Sequence, residues 1–316
     1  MKKPEHFAFV LVPEFTHIAF SCAIEPLRIA NLVSGEELYK WSLISENGET
    51  ATCSNDIVTV VHHGYDAVPE CDRLFILSGI NVQNHVSQPL LNLIRKARVG
   101  KAKLGALCSA AFIMAKAGLL DGKRAAIHWD FHDGFMEDFP EVSLVSSVFV
   151  ADESIVTASG GTATADLMIH LIAEQHGNEL AVAVADQMVY NAVRESSAEQ
   201  RVSLQSRHGM RNPHLVKAIQ MMNENIEAPQ SPALIAEEIG ISTRQLERLF
   251  GRYLNCSPKK YYVDLRLQKA RNLLVQTDQS VTEIALACGF ESPGHFSRVY
   301  RSKFGITPTT QKSTIG

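Results

Sequence analysis

The chain has 316 residues, a hydrophobic fraction of 46% and a charged fraction of 20%, values that are ordinary for a globular protein of two or three domains. No uninterrupted apolar run reaches transmembrane length and the N-terminus lacks the long apolar core of a secretory signal, so we expect a cytoplasmic protein with no membrane partner. The net charge of −4 is unevenly divided, because residues 211–316 carry 14 Lys and Arg against 9 Asp and Glu, whereas the rest carries 16 against 25. This asymmetry favours a basic nucleic-acid-binding domain attached to an acidic domain with another task.

The first 193 residues alternate short apolar runs with helical patterns. Strands that alternate with helices at this spacing predict an open, mostly parallel α/β sheet. The predicted strands are residues 7–12, 41–45, 57–61, 73–79 and 103–109, and the predicted helices begin near Thr16, Pro89, Ser109, Thr162 and Glu179.

Cys108 lies where the apolar strand 104–107 gives way to a helical pattern that begins at Ser109. Such a strand-to-helix bend exposes the nucleophile in hydrolase-like folds. A thiol at a helix N-terminus is expected to have a lowered pKa, which favours the reactive thiolate. Free cysteine is also a common small core residue, so a structural role stays open.

Three motifs in this half carry a family resemblance: CAIEPLRIAN at 22–31, LGALCSAAFIMAKAGLLDGKRAAIHWD at 104–130 and VTASGGTATADLMIHLI at 156–172. From about Phe7 to Val189 the chain resembles the PfpI-type, class I glutamine-amidotransferase-like family. The resemblance implies a flavodoxin-like, amidotransferase-like sheet. It also suggests a small-molecule sensor more than an enzyme.

Two roles for the residues around Cys108 follow from this resemblance. In PfpI-type enzymes a histidine directly follows the cysteine, whereas Ser109 follows it here. His128 could still approach the thiol, and Glu25 matches the acidic residue near the cysteine in the superfamily. The catalytic alternative is therefore amide hydrolysis or aldehyde chemistry at Cys108, with His128 and Glu25 as partners. We favour the sensor and expect no catalytic residue.

A binding site at the same place would combine a carboxylate with aromatic side chains, a pairing that suits an organic cation. Related regulators respond to amino acids and methylated amines such as betaines, and the resemblance implies that class of effector. The competing interpretation is that these aromatic side chains belong to the core. The candidate ligand-binding residues are Glu25, Cys108, Ser109, His128, Trp129 and Phe15, with Phe20 and Phe131 as further candidates for the aromatic wall.

Neither a metal site nor a cofactor site is indicated. The six cysteines form no CxxC pair, and Gly160-Gly161 lacks the context of a nucleotide-binding loop. The helix at 179–193 is a candidate dimer surface, and a homodimer is the default assembly. Residues 194–211 lack apolar periodicity and predict a linker, which divides the chain into a sensing and dimerisation domain at 1–193 and a second domain at 212–316.

The last third of the chain reads as two helix-turn-helix units in tandem. Gly240 and Gly289 occupy the turns and are 49 residues apart. Ser242 and Ser292 are natural N-caps for the helix that follows each turn.

Each of these following helices carries a basic face. Arg244, Arg248 and Arg252 recur every fourth residue and therefore share one stripe. Arginine binds phosphates or a guanine edge in a bidentate manner, although one such stripe alone could be a solvated face. The predicted DNA-binding residues are Thr243, Arg244, Gln245, Glu247, Arg248 and Arg252 in the first helix and His295, Ser297, Arg298 and Arg301 in the second.

From Pro232 through Pro308 the chain resembles the AraC/XylS type of DNA-binding domain, on ALIAEEIGISTRQLERLF, SPKKYYVDLRLQKARNLL and VTEIALACGFESPGHFSRVYRSKFGITP. In that family a central helix, here Tyr261–Leu274, separates the two units. The Tyr-Arg that usually follows the final proline is absent, which predicts a short last helix.

The combination of the two domains resembles the GlxA-like regulators. It implies a transcriptional activator that binds double-stranded DNA, a small-molecule effector and RNA polymerase. A simpler alternative is that the first domain only dimerises the protein.

Overall fold

The computed structural model describes residues 3–191, 193–200 and 212–313. The chain divides into two compact units after Gln200. The predicted boundary at 193 therefore falls short of this division, and residues between Arg194 and Gln200 make hydrogen bonds within the first unit. The rest of the predicted linker, residues 201–211, lies outside the described residues.

Apolar runs form the strands of the first unit. They are β1 (Glu5–Leu11), β2 (Tyr39–Ile44), β3 (Thr50–Thr52), β4 (Val58–Val60), β5 (Arg73–Leu77), β6 (Lys103–Leu107), β7 (Arg124–Ala125), β8 (Ser143–Leu144), β9 (Phe149–Ala151) and β10 (Ile155–Ala158).

Six of these described strands form the main sheet, in the order β2-β1-β5-β6-β10-β9. All neighbours pair in parallel except β9, which runs antiparallel to β10 at the edge. The parallel strands taken in chain order follow the flavodoxin-like arrangement 2-1-3-4-5. The predicted open, mostly parallel sheet is confirmed, but the predicted strand at 57–61 pairs with β3 in a separate hairpin.

Helices cover both faces of the sheet. Along β1, Phe7 and Phe9 pack in one core cluster, whereas Ala8 and Val10 pack in the other, as the alternation of side chains in a strand requires. The helices are α1 (His17–Ser34), α2 (Gln88–Val99), α3 (Ala111–Lys116), α4 (His132–Asp138), α5 (Ala163–His176) and α6 (Asn178–Gln187). The first core cluster contains residues of α1, α5 and α6, and the second contains residues of α2 and α3.

Two of these helices differ from the predicted ones. The helix after Cys108 begins at Ala111 and ends at Lys116, and α6 ends at Gln187 instead of reaching Val193. The loops after β1, β5, β6 and β10 meet at the carboxyl edge of the parallel strands, which is where α/β folds of this kind bind ligands.

All secondary-structure elements described in the second unit are helices. It consists of α7 (Pro213–Glu224), α8 (Pro232–Glu238), α9 (Thr243–Leu254), α10 (Pro258–Gln276), α11 (Val281–Ala287), α12 (Pro293–Phe304) and α13 (Pro308–Ser313). The pairs α8/α9 and α11/α12 are the two predicted helix-turn-helix units, with α10 between them. A serine hydroxyl caps the N-terminus of each helix from α8 to α12, at Ser231, Ser242, Ser257, Ser280 and Ser292.

Candidate functional site

Helix α9 presents the first basic face. Its apolar side chains Leu246 and Phe250 are fully buried, and this burial leaves the opposite stripe in solvent. Arg244, Arg248 and Arg252 all lie on the exposed surface of this helix. Three exposed guanidinium groups at this spacing can follow a phosphate backbone or reach base edges.

Gln245 differs from the other predicted contacts in α9. Its Oε1 accepts the backbone N–H of Ser242 at 2.9 Å, and the Ser242 hydroxyl accepts the N–H of Gln245 at 3.2 Å. This reciprocal pair is a capping box. The carboxamide oxygen is therefore already used by the helix start, and only the NH₂ group is left for a ligand.

Helix α12 presents a smaller basic face. Phe296 and Tyr300 are buried, while His295, Arg298 and Arg301 are exposed and Ser297 is partly buried. The last cation of the stripe, Lys303, lies 2.9 Å from a carboxylate oxygen of Asp264 in α10. An ion pair to the central helix reduces its availability to a phosphate.

An arginine that sequence reasoning did not single out joins α10 to the second turn. The guanidinium of Arg266 donates from Nε to the carbonyl of Cys288 at 2.8 Å and lies 4.1 Å from the centre of the Phe290 ring. The 19 residues of α10 span about 28 Å at the rise of an α-helix, which is shorter than the roughly 34 Å of one turn of the DNA duplex. The sequence held no signal for this contact, because its acceptors at Cys288 and Gly289 are backbone carbonyls more than 20 residues further along the chain.

Cys108 has the predicted bend geometry. Its φ is +64°, a left-handed conformation that costs energy for a residue with a Cβ, and it directly follows β6. Gly160 packs against it so closely that a Cβ there would lie 2.7 Å from the Cys108 Cβ. The thiol is thus held under the loop that leads into α5.

The thiol itself is not the predicted reactive thiolate. Cys108 is only 6% exposed, and burial raises its pKa, which hydrogen bonds from Thr16 and the Ser109 N–H only partly offset. The expected lowering by a helix N-terminus fails because α3 begins three residues later, at Ala111. The Sγ atom lies 3.3 Å from the hydroxyl of Thr16, a partner that was not predicted.

Three predicted residues are occupied elsewhere. Ser109 is fully buried, and its hydroxyl donates to the Gly79 carbonyl at 2.6 Å. Phe15 is fully buried in the core and packs edge-on against Phe20. Glu25 lies on the outer surface of α1, paired with Arg28 at 2.6 Å and about 12 Å along the helix from its start. None of the three lines the cavity that Gly160 borders, and the predicted ligand-binding residue Cys108 does not line it either.

His128 and Trp129 do line this cavity, which has a volume of about 180 Å³. The backbone N–H of His128 donates to the Cys108 carbonyl at 3.1 Å, and its ring Nδ1 accepts the N–H of Asp130 at 3.3 Å. Burial lowers the pKa of the imidazole, so the ring is neutral at pH 7 and can donate only from Nε2. The other lining residues are Ser159, Gly160, Gly161, Thr162, Ala163, Arg194 and Gln200.

Arg194 is the charged residue among those that line the cavity, and sequence reasoning had placed it in the linker. Its Nη2 lies 2.7 Å from Asp166, a fully buried carboxylate in the first turn of α5. Trp129 is 37% exposed and lines the same cavity, so an aromatic ring and a guanidinium group border one small space.

The burial of Cys108 makes a prediction about its reactivity. Iodoacetamide reacts with the thiolate, so the native protein at pH 7.5 should be alkylated at Cys108 at least about 100-fold more slowly than the protein in urea. The rate should rise as the pH approaches the raised pKa. Peptide mass spectrometry over a time course measures both rates, and equal rates would contradict the buried geometry.

Comparison with known proteins decides the family. Residues 7–174 match the DJ-1/PfpI family, and residues 235–313 match the helix-turn-helix domain family. The chain belongs to the helix-turn-helix transcriptional regulators that carry a DJ-1/PfpI domain. The resemblances to PfpI-type and AraC-type domains are thereby confirmed.

Three curated relatives are similar over nearly the whole chain. The HTH-type transcriptional regulator GbdR of Pseudomonas aeruginosa is 39% identical over 98% of this chain and 85% of its own length. ArgR of the same species is 38% identical over 98% of this chain and 94% of its own. GlxA of Rhizobium meliloti is 34% identical over 99% of this chain and 97% of its own length. All three are named transcriptional regulators, and this chain is therefore a DNA-binding transcriptional regulator.

Solved structures agree on the fold of the first unit. An AraC family transcriptional regulator from Pseudomonas putida has a TM-score of 0.54 at 23% identity and covers 58% of this chain and 100% of its own. Drosophila melanogaster DJ-1beta has a TM-score of 0.51 at 21% identity and covers 59% of this chain and 98% of its own.

In the described part of the chain, no helix has the length and apolar character needed to cross a bilayer.

Proposed function

We propose that this regulator responds to a small zwitterion, an amino acid or a methylated amine such as a betaine, bound in the cavity between Trp129 and Arg194. The observation that carries the proposal is the pairing of a guanidinium group with an aromatic face in about 180 Å³. That volume is below the roughly 300 Å³ or more that is typical of sites for drug-sized ligands, which favours a small effector.

The chemistry of the lining supports a ligand with both charges. A carboxylate can accept hydrogen bonds from Arg194, and an ammonium group can lie over the indole of Trp129. The neutral ring of His128 offers one further donor. Glu25, which was predicted to bind the cationic end, lies on the outer face of α1, so Trp129 takes that role in the proposal.

A single-tryptophan protein tests this assignment. Trp41 and Trp129 are the two tryptophans of the chain, so Trp41→Phe leaves Trp129 as the reporter. Trimethylglycine should change its fluorescence with at least about tenfold higher affinity than choline, which has the same cation but no carboxylate. Glu25→Gln in the same background should bind trimethylglycine equally well. Equal affinity for the two compounds would contradict a carboxylate site, and loss of binding in Glu25→Gln would restore the original assignment.

We further propose that both recognition helices contact DNA. Arg244, Arg248 and Arg252 of α9 form the main basic stripe, and Thr243 and Glu247 flank it. In α12 the contacts are assigned to His295, Ser297, Arg298 and Arg301. Support comes from the exposure of the basic residues in both stripes.

The regulator is proposed to be a homodimer that activates transcription through RNA polymerase. Support for a dimer is the exposed apolar side chains of α1 and α6, where Ile18, Leu32 and Val182 are 51%, 60% and 59% exposed. Sedimentation equilibrium of the full chain measures the assembly. Transcription in vitro with and without the protein measures the sign of regulation.

An enzymatic role is the second candidate, because DJ-1/PfpI relatives include enzymes. We propose that the chain is not an enzyme, since the thiol is buried and its described partner is Thr16 instead of a histidine. Cys108→Ser should retain DNA binding and the effector response. An amide or aldehyde substrate turned over by the parent and not by this variant would favour the enzyme.

A further inference from the structure

Arg194 belongs at once to the cavity wall and to the segment that ends the first unit. The segment 190–200 is fastened to α5 through Asp166. The Asp166 carboxylate accepts the hydroxyl of Tyr190 and the backbone N–H of Arg194, both at 2.8 Å, on Oδ1. Its Oδ2 accepts Nε of Arg194 at 2.8 Å and lies 2.7 Å from Nη2.

The buried carboxylate of Asp166 requires the hydrogen bonds that attach the segment. Its side chain is fully buried, and an ionised carboxylate in that position is strongly destabilising without partners. In the part of the chain that the structure describes, the donors to this carboxylate come from Tyr190 and Arg194. If the segment moved away, the Asp166 carboxylate would therefore lose these donors and the positive charge of Arg194.

The same guanidinium retains donors for a ligand. Its Nη2 also donates to the hydroxyl of Thr162 at 2.9 Å, which places the group against the cavity wall beside Gly161. No described residue accepts a hydrogen bond from Nη1. A carboxylate in the cavity can bind Nη1 without displacing Asp166.

The far end of the segment is hydrogen-bonded to residues that follow the strands β7 and β8. Gln200 donates from Nε2 to the carbonyls of Ile127 and Ser147, at 2.9 and 3.0 Å, and itself lines the cavity. The backbone N–H of Val148 donates to the carbonyl of Ala198 at 2.8 Å. Arg194 and Gln200 of this segment thus both line the cavity, and the chain continues from Gln200 toward α7 of the second unit.

We propose that Arg194 binds the carboxylate of the effector through Nη1 while Asp166 holds the same guanidinium, so that effector binding fixes segment 190–200 and thereby changes DNA affinity. This inference rests on the proposed effector site. It assigns Arg194 the role of ligand-binding residue, and it assigns Tyr190, which does not line the cavity, the role of a positioning residue.

Two variants separate ligand binding from its transmission. Arg194→Gln removes the charge that holds the carboxylate, and its affinity for trimethylglycine should fall at least about tenfold while its affinity for choline is unchanged. Tyr190→Phe removes only the hydroxyl that joins the segment to Asp166. Its affinity for trimethylglycine should stay within about twofold of that of the parent. The ligand-induced change in DNA affinity should fall by at least about two thirds. Tyr65→Phe is the matched control and should retain both properties, because Tyr65 lines a different cavity, together with His6.

The measurements use the full chain. Isothermal titration gives the affinity for trimethylglycine and choline, and fluorescence anisotropy of a bound DNA fragment gives the response. Hydrogen exchange by mass spectrometry should show slower exchange in residues 190–200 when trimethylglycine is added and no change with choline. In Tyr190→Phe that protection should be smaller.

The possible failures are distinct. If the parent binds neither the common amino acids nor dimethylglycine and trimethylglycine, the proposed effector class is overturned and this inference with it. If the parent binds and responds while Arg194→Gln binds equally well, Arg194 is not the carboxylate ligand. If Tyr190→Phe keeps the full DNA response, the segment does not transmit occupancy, although the effector site stands.

Discussion

Replacing Arg248 and Arg298 together by alanine is expected to weaken specific DNA binding by about 2 to 6 kcal/mol, or roughly 30-fold to 2 × 10⁴-fold. One exposed arginine comes from each recognition helix, and the two share no described partner, so their losses should be close to additive. Fluorescence anisotropy with a bound genomic fragment measures the change. Removing the same charge from the first unit, with Arg98→Ala and Lys101→Ala, should leave the affinity nearly unchanged.

The two single variants distinguish base contacts from phosphate contacts. An arginine that reads a base should lose about 1 to 3 kcal/mol on the specific site and relax the preference at one position. An arginine that binds phosphate should weaken binding to all sequences and lower the slope of log affinity against log salt by about 1. Unchanged affinity in the double variant at physiological salt would show that these helix faces do not contact DNA.

Gly289→Ala is expected to destabilise the second unit by about 2 to 5 kcal/mol, whereas Gly240→Ala should cost about 1 to 2 kcal/mol. Both glycines occupy a helix-turn-helix turn, with φ of +71° and +75°, so both substitutions carry the strain of a left-handed residue. They differ in their surroundings. A Cβ at Gly289 would lie 2.6 Å from the Ile226 carbonyl oxygen and 2.8 Å from Pro229, while a Cβ at Gly240 meets nothing within 4 Å.

Urea unfolding of the full chain, followed by hydrogen exchange in residues 281–304, measures this difference. Gly240→Ala is the matched control because it shares the motif and the backbone conformation but not the close contact. Equal losses for the two variants would mean that the loop after α7 yields to the added methyl group. The close approach described at Gly289 would then have no energetic consequence.

Much of the fold could be predicted because it depends on local patterns. The strands were visible as apolar runs, such as 73–77, that are buried on both faces. Ser242 and Ser292 marked the starts of both recognition helices because a capping hydroxyl acts within three residues. The same reasoning predicted the bend at Cys108.

The cavity could not be predicted because its geometry depends on distant residues. The burial of Cys108 follows from Gly160, which lies 52 residues away along the chain. Arg194 was assigned to a linker because its segment has no apolar periodicity, and its partner Asp166 is 28 residues earlier. Glu25 is different, since Arg28 three residues later signals an exposed ion pair on a helix.

Recovery and sequencing of genomic fragments bound by the full chain at physiological salt tests the central claim most directly, because non-specific binding is weak under those conditions. The parent should enrich a few sites, each with two contacted segments about one helical turn apart, and addition of the effector should change their occupancy. The Arg248→Ala, Arg298→Ala variant should enrich none of them. A parent protein that enriches no fragment, with or without a metabolite extract, would contradict the account of a DNA-binding regulator controlled by a small molecule.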